Sequence, residues 1–281
     1  MVLGNKNFLN PEFREHMRII ALAHLFALSG LHMMIITATF AFLLGIFHIP
    51  KRYISLLTIP VSLLYLLLGG LGISLQRTFL FHLLWIVGTI LRVPFSIAKI
   101  FWISLILTLI VNYKNIFSIS FLLSYSAVAG IIYLRGLWKN FFFHKCGNFL
   151  GNIITISLAT GLATFPILIF FFGQFNLLFL ISNIFVIPLA GVLIVLSFIL
   201  GISAFWNLTF LPAERLLTLI YLYIDRISYT ASRIPNSIIL LQHKYLLPIL
   251  MVLCFLLYYA IIKYSLFVSK GYYGRNNMEQ S

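Results

Sequence analysis

Apolar residues in this chain come in long unbroken runs rather than in the spaced stripes of a helix that faces water on one side. A bilayer crossing needs about 20 consecutive apolar residues. Runs of that size cover 19–47, 54–73, 116–134, 149–172, 175–202 and 245–268. The first ends at Pro50, Lys51 and Arg52 and is long enough to tilt or break. The second holds Pro60 and loosens at Gly69, Gly70 and Gly72. The runs 77–91 and 101–111 are shorter, and Arg77 and His82 in the first of them suggest a partial or buried span. Asn183 and Pro188 split the run 175–202. Residues 212–234 have a different pattern: Leu216, Leu217, Ile220, Ile224 and Ile227 recur at helical spacing, with Glu214, Arg215, Asp225 and Arg226 between them. That periodicity predicts an amphipathic helix, lying flat on a bilayer or capping a cavity.

The pattern reads as an all-α polytopic membrane protein of about 7–9 spans, with broken helices and one amphipathic helix. Its organisation is a polar segment 1–18, a single transmembrane domain 19–268 and a polar tail 269–281. Composition supports this: 62% of the 281 residues are hydrophobic and 9% charged, and the mean hydropathy is +1.08. A water-soluble domain carries about a quarter charged residues, so most of this surface must face lipid. Residues 1–18 are mixed in charge and no small-residue cleavage site follows, so the first apolar run reads as a span and not as a leader. Cys146 and Cys254 form neither a disulfide framework nor a zinc spacing, so no metal or cofactor is expected.

The net charge of +14, from 19 Lys and Arg against 5 acidic residues, has two explanations. Nucleic acid would be attracted to it, but membrane proteins also collect cations in their cytoplasmic loops. If 77–91 and 101–111 both cross, Lys and Arg concentrate near 51, 95, 140 and 230, including the basic and aromatic loop 135–148, which places the N-terminus outside.

Polar groups at membrane depth are costly and face a protein interior or a wet path. Four places carry them. His24, Leu28 and His32 lie along one helical stripe with Ser29 close by, and Gly30 permits close backbone approach. They read as a polar lining, or as interior histidines satisfied by backbone carbonyls. A Ser/His catalytic pair is the poorer reading, because no carboxylate in the spans could orient His32. Gln76-Arg77-Thr78 with His82 comes next, where Arg77 either snorkels to the interface or points into an anion-carrying groove. Ser118, Ser120 and Ser124 beside Tyr125 place hydroxyls through an apolar helix, with hydrogen bonding between helices as the expected use. The fourth place runs from Phe172-Gly173-Gln174-Phe175-Asn176 through Asn183 to Pro188, where irregular backbone is tolerated only if buried or lining a cavity.

Taken in order, these segments resemble the membrane domain of the ComEC-type competence proteins. The family's H-L-hydrophobic-A-hydrophobic-S-G-L-H motif is matched by His24-Leu25-Phe26-Ala27-Leu28-Ser29-Gly30-Leu31-His32. Leu75-Gln76-Arg77-Thr78 is similar to its arginine segment, though less rich in alanine. Phe121-Leu122-Leu123-Ser124-Tyr125-Ser126-Ala127-Val128-Ala129-Gly130-Ile131 matches its F-x-L-S-[FY]-x-A-V-x-G-I pattern, with Leu122 where the family often has glutamine. The final block is Ala159-Thr160-Gly161-Leu162-Ala163-Thr164-Phe165-Pro166, then Phe172-Gly173-Gln174-Phe175, then Asn183 and Ile187-Pro188-Leu189. The resemblance covers roughly residues 12–235.

It implies a channel or permease of the bacterial cytoplasmic membrane that takes up single-stranded DNA in natural transformation, and no enzyme. His24, Ser29, Gly30, His32, Arg77, Ser124, Tyr125, Gln174 and Asn183 would line the path, since a polyanion needs cations, hydrogen-bonding groups and aromatic faces. Full-length members flank this region with an oligonucleotide-binding-like domain and a metallo-β-lactamase-like domain. This chain carries neither, so strand cleavage is not expected of it. Its expected partners are single-stranded DNA, the lipid bilayer, a DNA receptor, a translocase ATPase, a separate nuclease and further copies of itself. The alternatives are a small-molecule or ion transporter built on the same broken helices, and an intramembrane serine hydrolase built on Ser29.

Overall fold

The computed structural model describes Glu12, residues 30–93, 95–205, 211–234 and 238–240, with a few residues in these ranges, Gln174 among them, described in backbone only. The elements are α1 (Gly30–Ile46), α2 (Lys51–Leu68), α3 (Ile73–Ile90), α4 (Ile97–Val111), a 3₁₀ turn at Tyr113–Phe117, α5 (Ile119–Tyr133), α6 (Gly136–Phe172), β1 (Gln174–Asn176), α7 (Phe179–Phe205), α8 (Leu211–Ser232) and β2 (Ile238–Leu240). The last apolar run, 245–268, lies outside the described residues, as does the start of the first.

The protein is a helical membrane protein. Among the described residues, five stretches are long and apolar enough to cross a bilayer: Lys51–Leu68, Ile73–Ile90, Ile119–Trp138, Gly147–Phe172 and Ser182–Gly201. Only 22–33% of each window is buried, so most of these apolar side chains face outward, a placement that lipid makes favourable and water does not. Helices α1 and α4 are apolar but shorter.

Three expectations change. The run at 77–91 is not a partial span: α3 starts at Ile73 and has 18 residues. The segment 135–148 is not a loop, because α6 begins at Gly136 and bends at Gly147, whose φ of 73° and ψ of 172° are non-helical. The run 175–202 is not broken at Asn183 or Pro188; α7 is helical through both. A proline removes one backbone donor, and in a span the freed carbonyl is accommodated by local adjustment, as it also is at Pro60 and Pro166.

The described residues within 1–121 and 181–235 form one compact unit, and those within 122–180 and 236–281 form another. In the first, α1, α2 and α3 pack against one another. Met33, Ile36, Tyr65, Leu66, Leu75 and Ile194 make its core, with Ile35, Val61, Phe79 and Phe198 around them. In the second, Leu134, Ala159 and Ala163 form a small-residue core against Trp138, the kind of surface that lets membrane helices approach closely.

The turn after α6 is built from the Phe172–Asn176 segment. Gly173 ends the helix in the left-handed region, φ 65°, and donates its N–H to the Ile169 carbonyl. Residues Gln174–Asn176 then pair antiparallel with Ile238–Leu240, Phe175 opposite Ile239. Phe175 stacks edge-on against Phe165, centroids 4.9 Å apart, and tilts against Phe179 at 5.3 Å. The Asn176 side-chain oxygen accepts from the Leu178 N–H at 2.6 Å, which directs the chain into α7. A left-handed conformation costs a non-glycine residue about 1–2 kcal/mol. Gly173→Ala is therefore expected to lower the unfolding free energy in detergent by about that amount, read as a fall in melting temperature.

Candidate functional site

Glycine at position 30 brings α1 against α3. A Cβ built there would overlap Thr78 Oγ1, lie 3.2 Å from Thr78 Cβ and sit 3.5 Å from Arg77 Nη2. Gly30 and the Arg77-Thr78 pair, 47 and 48 residues further along the chain, therefore lie so close that there is no room for a side chain at position 30. Arg77 also lies over the Phe81 ring, its Cζ 5.8 Å from the centroid, an arrangement that favours a cation on an aromatic face. His32 is buried, two residues further along α1, and Thr78 is buried with its hydroxyl donating to the Ser74 carbonyl at 2.9 Å.

The first unit thus joins Gly30 and Arg77 directly and buries His32 on the same helix as Gly30. Asn183, half-buried on α7, belongs to the same unit. Ser124 and the buried Tyr125 lie on α5 in the second unit, and Gln174 opens β1 there. His24 and Ser29 lie outside the described residues. The Ser124 hydroxyl oxygen is buried and meets no hydrogen-bond partner among the described residues.

Several described hydroxyls in the spans bond within their own helix. Thr37, Ser104, Thr108, Thr155, Thr160 and Thr164 donate to carbonyls three or four residues back in their own helices. Ser118 and Ser126 likewise bond carbonyls three residues back. Back-bonding of this kind satisfies a hydroxyl at no cost to a neighbour.

One contact between helices was signalled by the sequence only as a lone histidine. His82 on α3 sits between two hydroxyls of α2, with Nε2 3.2 Å from Thr58 Oγ1 and Nδ1 3.1 Å from Ser62 Oγ. Those hydroxyls donate to Ser55 and Ile59 carbonyls at 2.7 and 2.8 Å, so they remain satisfied without the ring. A hydrogen bond contributes roughly 0.5–1.5 kcal/mol net. His82→Leu is expected to lower stability by about 1–2 kcal/mol on that scale. The loss should be non-additive with Thr58→Val in a double-mutant cycle read by thermal unfolding.

Among the described residues, no three His, Cys, Asp or Glu side chains gather to hold a metal ion. The arrangement brings together a cation, an aromatic face and buried polar groups inside an apolar bundle, which suits an anion better than a metal.

The chain is 25% identical over 188 residues to ComE operon protein 3 of Bacillus subtilis (strain 168), a match that takes in 67% of this chain and 24% of that protein. The chain thus spans about a quarter of the length of that relative. No solved structure matches it. The model of the Competence protein family matches residues 1–266, nearly the whole length, and the chain belongs to that family.

Proposed function

We propose that this chain is a multi-pass protein of the bacterial cytoplasmic membrane that gives single-stranded DNA a path across the bilayer in natural transformation. The observation that carries this reading is the close meeting of Gly30 with Arg77 and Thr78, on the helix that also buries His32 two residues on. It concentrates two sequence blocks of a competence-family protein around a cation in an apolar helix. No acidic residue occurs between Glu15 and Glu214, so nothing in that stretch repels a polyanion or couples a cation. A strand's phosphates need such a cationic lining and its bases need aromatic faces. The role is a conduit and not a catalyst. A DNA receptor, a translocase ATPase and a nuclease on other chains would bring, drive and trim the strand.

The full chain in lipid nanodiscs is expected to bind a fluorescent single-stranded oligonucleotide with steep salt dependence. Each phosphate neutralised contributes about −0.7 to the log–log salt slope of a single strand. Arg77→Ala should weaken binding and flatten that slope by about 0.7. Absence of binding, together with thermal stabilisation by a small solute, would overturn the reading in favour of a solute transporter.

A further inference from the structure

The first part of α6, residues 136–146, is set off from the rest of the helix by the kink at Gly147. It carries Leu137, Trp138, Phe141, Phe142, His144 and Lys145. Its two ends are fastened together: Arg135 Nη2, just before it, donates to Asn152 Oδ1, just after the bend. On one side Trp138 packs onto Leu134, Ala159 and Ala163. On the other, Leu137 is 38% exposed and Phe141 54%, and past the bend Phe149 is 68% and Leu150 44% exposed. His144 and Lys145 are also exposed, and Lys145 Nζ lies 4.5 Å from the Phe141 ring centroid.

Neither water nor hydrocarbon suits this surface. Water would bear the exposed Leu137, Phe141, Phe149 and Leu150, and hydrocarbon would bear exposed cations. The boundary between them suits both, with the rings among the acyl chains and the ammonium groups at headgroup level. Arg135, Lys139 and Lys145 have no acidic residue near them in sequence, so the complementary headgroup is anionic rather than zwitterionic. The segment also runs directly into the apolar stretch Gly147–Phe172, which fixes it at the end of a crossing helix. A nucleic acid would find no use for Leu137 and Leu150, and a second copy would bring the same positive charge.

We propose that residues 136–146 form an in-plane arm that, with the start of the following span, binds the headgroups of anionic phospholipids. This inference is independent of the DNA reading. The test uses the full chain in nanodiscs, with Cys146→Ser and Cys254→Ser, carrying an environment-sensitive fluorophore on Phe149→Cys or, as a second position, Phe141→Cys. Brominated acyl chains should quench both labels. Native mass spectrometry should show phosphatidylglycerol retained over phosphatidylcholine. Lys139→Gln with Lys145→Gln should keep the quenching but lower the phosphatidylglycerol preference by about fivefold per cation removed. Labels that stay unquenched, or a preference unchanged in the double variant at unaltered thermal stability, would overturn the proposal. Release of quenching by a single-stranded oligonucleotide would do so too, by making the arm a nucleic-acid surface.

Discussion

Gly130→Val is expected to be the most damaging single substitution in the second unit, lowering stability by about 3 kcal/mol, the top of the usual overpacking range, or more. A Cβ at this position would overlap the Ala159 carbonyl oxygen and lie 2.7 Å from Ala163 Cβ. A side chain in the way could rotate, but a backbone oxygen inside a helix cannot move without taking the helix with it. Ala159 and Ala163 are themselves buried, so α5 and α6 would have to separate, and the dispersion contacts of a whole interface would weaken. The measurement is thermal unfolding in detergent, with Gly45→Ala as the control. Position 45 has open space around its Cβ, and alanine in a helix is favoured over glycine by about 1 kcal/mol, so that variant should be neutral or slightly more stable.

Gly30→Ala is expected to remove most DNA uptake while costing about 1–3 kcal/mol of stability, as overpacking does. The new methyl would overlap Thr78 Oγ1, and even with the hydroxyl rotated away Thr78 Cβ stays 3.2 Å off, closer than an ordinary contact. α1 must therefore move off α3, at the place where Arg77 is held. Thr78→Ala in the same chain removes the overlapping oxygen and should restore part of both stability and uptake. That non-additivity is the signature of two residues in contact. If the double variant is as defective as Gly30→Ala alone, the close approach is not the cause. Transformation frequency in cells that depend on this chain, measured beside thermal stability of the purified variants, separates the two effects.

The spans were legible because lipid imposes a simple rule: a helix that satisfies its own backbone must be apolar for about 20 residues. Hence the runs 54–73 and 149–172 match α2 and the longer arm of α6 to within a few residues. The blocks around Gly30 and Arg77 were legible as polar intrusions, but not their meeting, which depends on α1 crossing α3. The arm at 136–146 was misread as a loop for a physical reason. An interfacial helix mixes rings and cations, so it has neither the unbroken apolarity of a span nor the clean period of a water-facing helix. Pro188 was misread as a break because a proline that would end a helix in water is tolerated inside a bundle. The strand Gln174–Asn176 was hidden because its partner, Ile238–Leu240, is more than 60 residues away and each is only three residues long. The Thr58–Ser62–His82 contact needs two helices at once, and from sequence only the histidine stood out.

The central claim is that DNA passes beside Arg77. The most direct measurement places a photo-crosslinking amino acid singly at positions 77, 32 and 42 and irradiates cells while labelled DNA enters. Adducts are predicted at 77 and 32 and not at Phe42, which is 71% exposed on the outer side of α1. DNA entry at a normal rate with no adduct at 77 or 32, or with adducts as frequent at 42, would contradict the account.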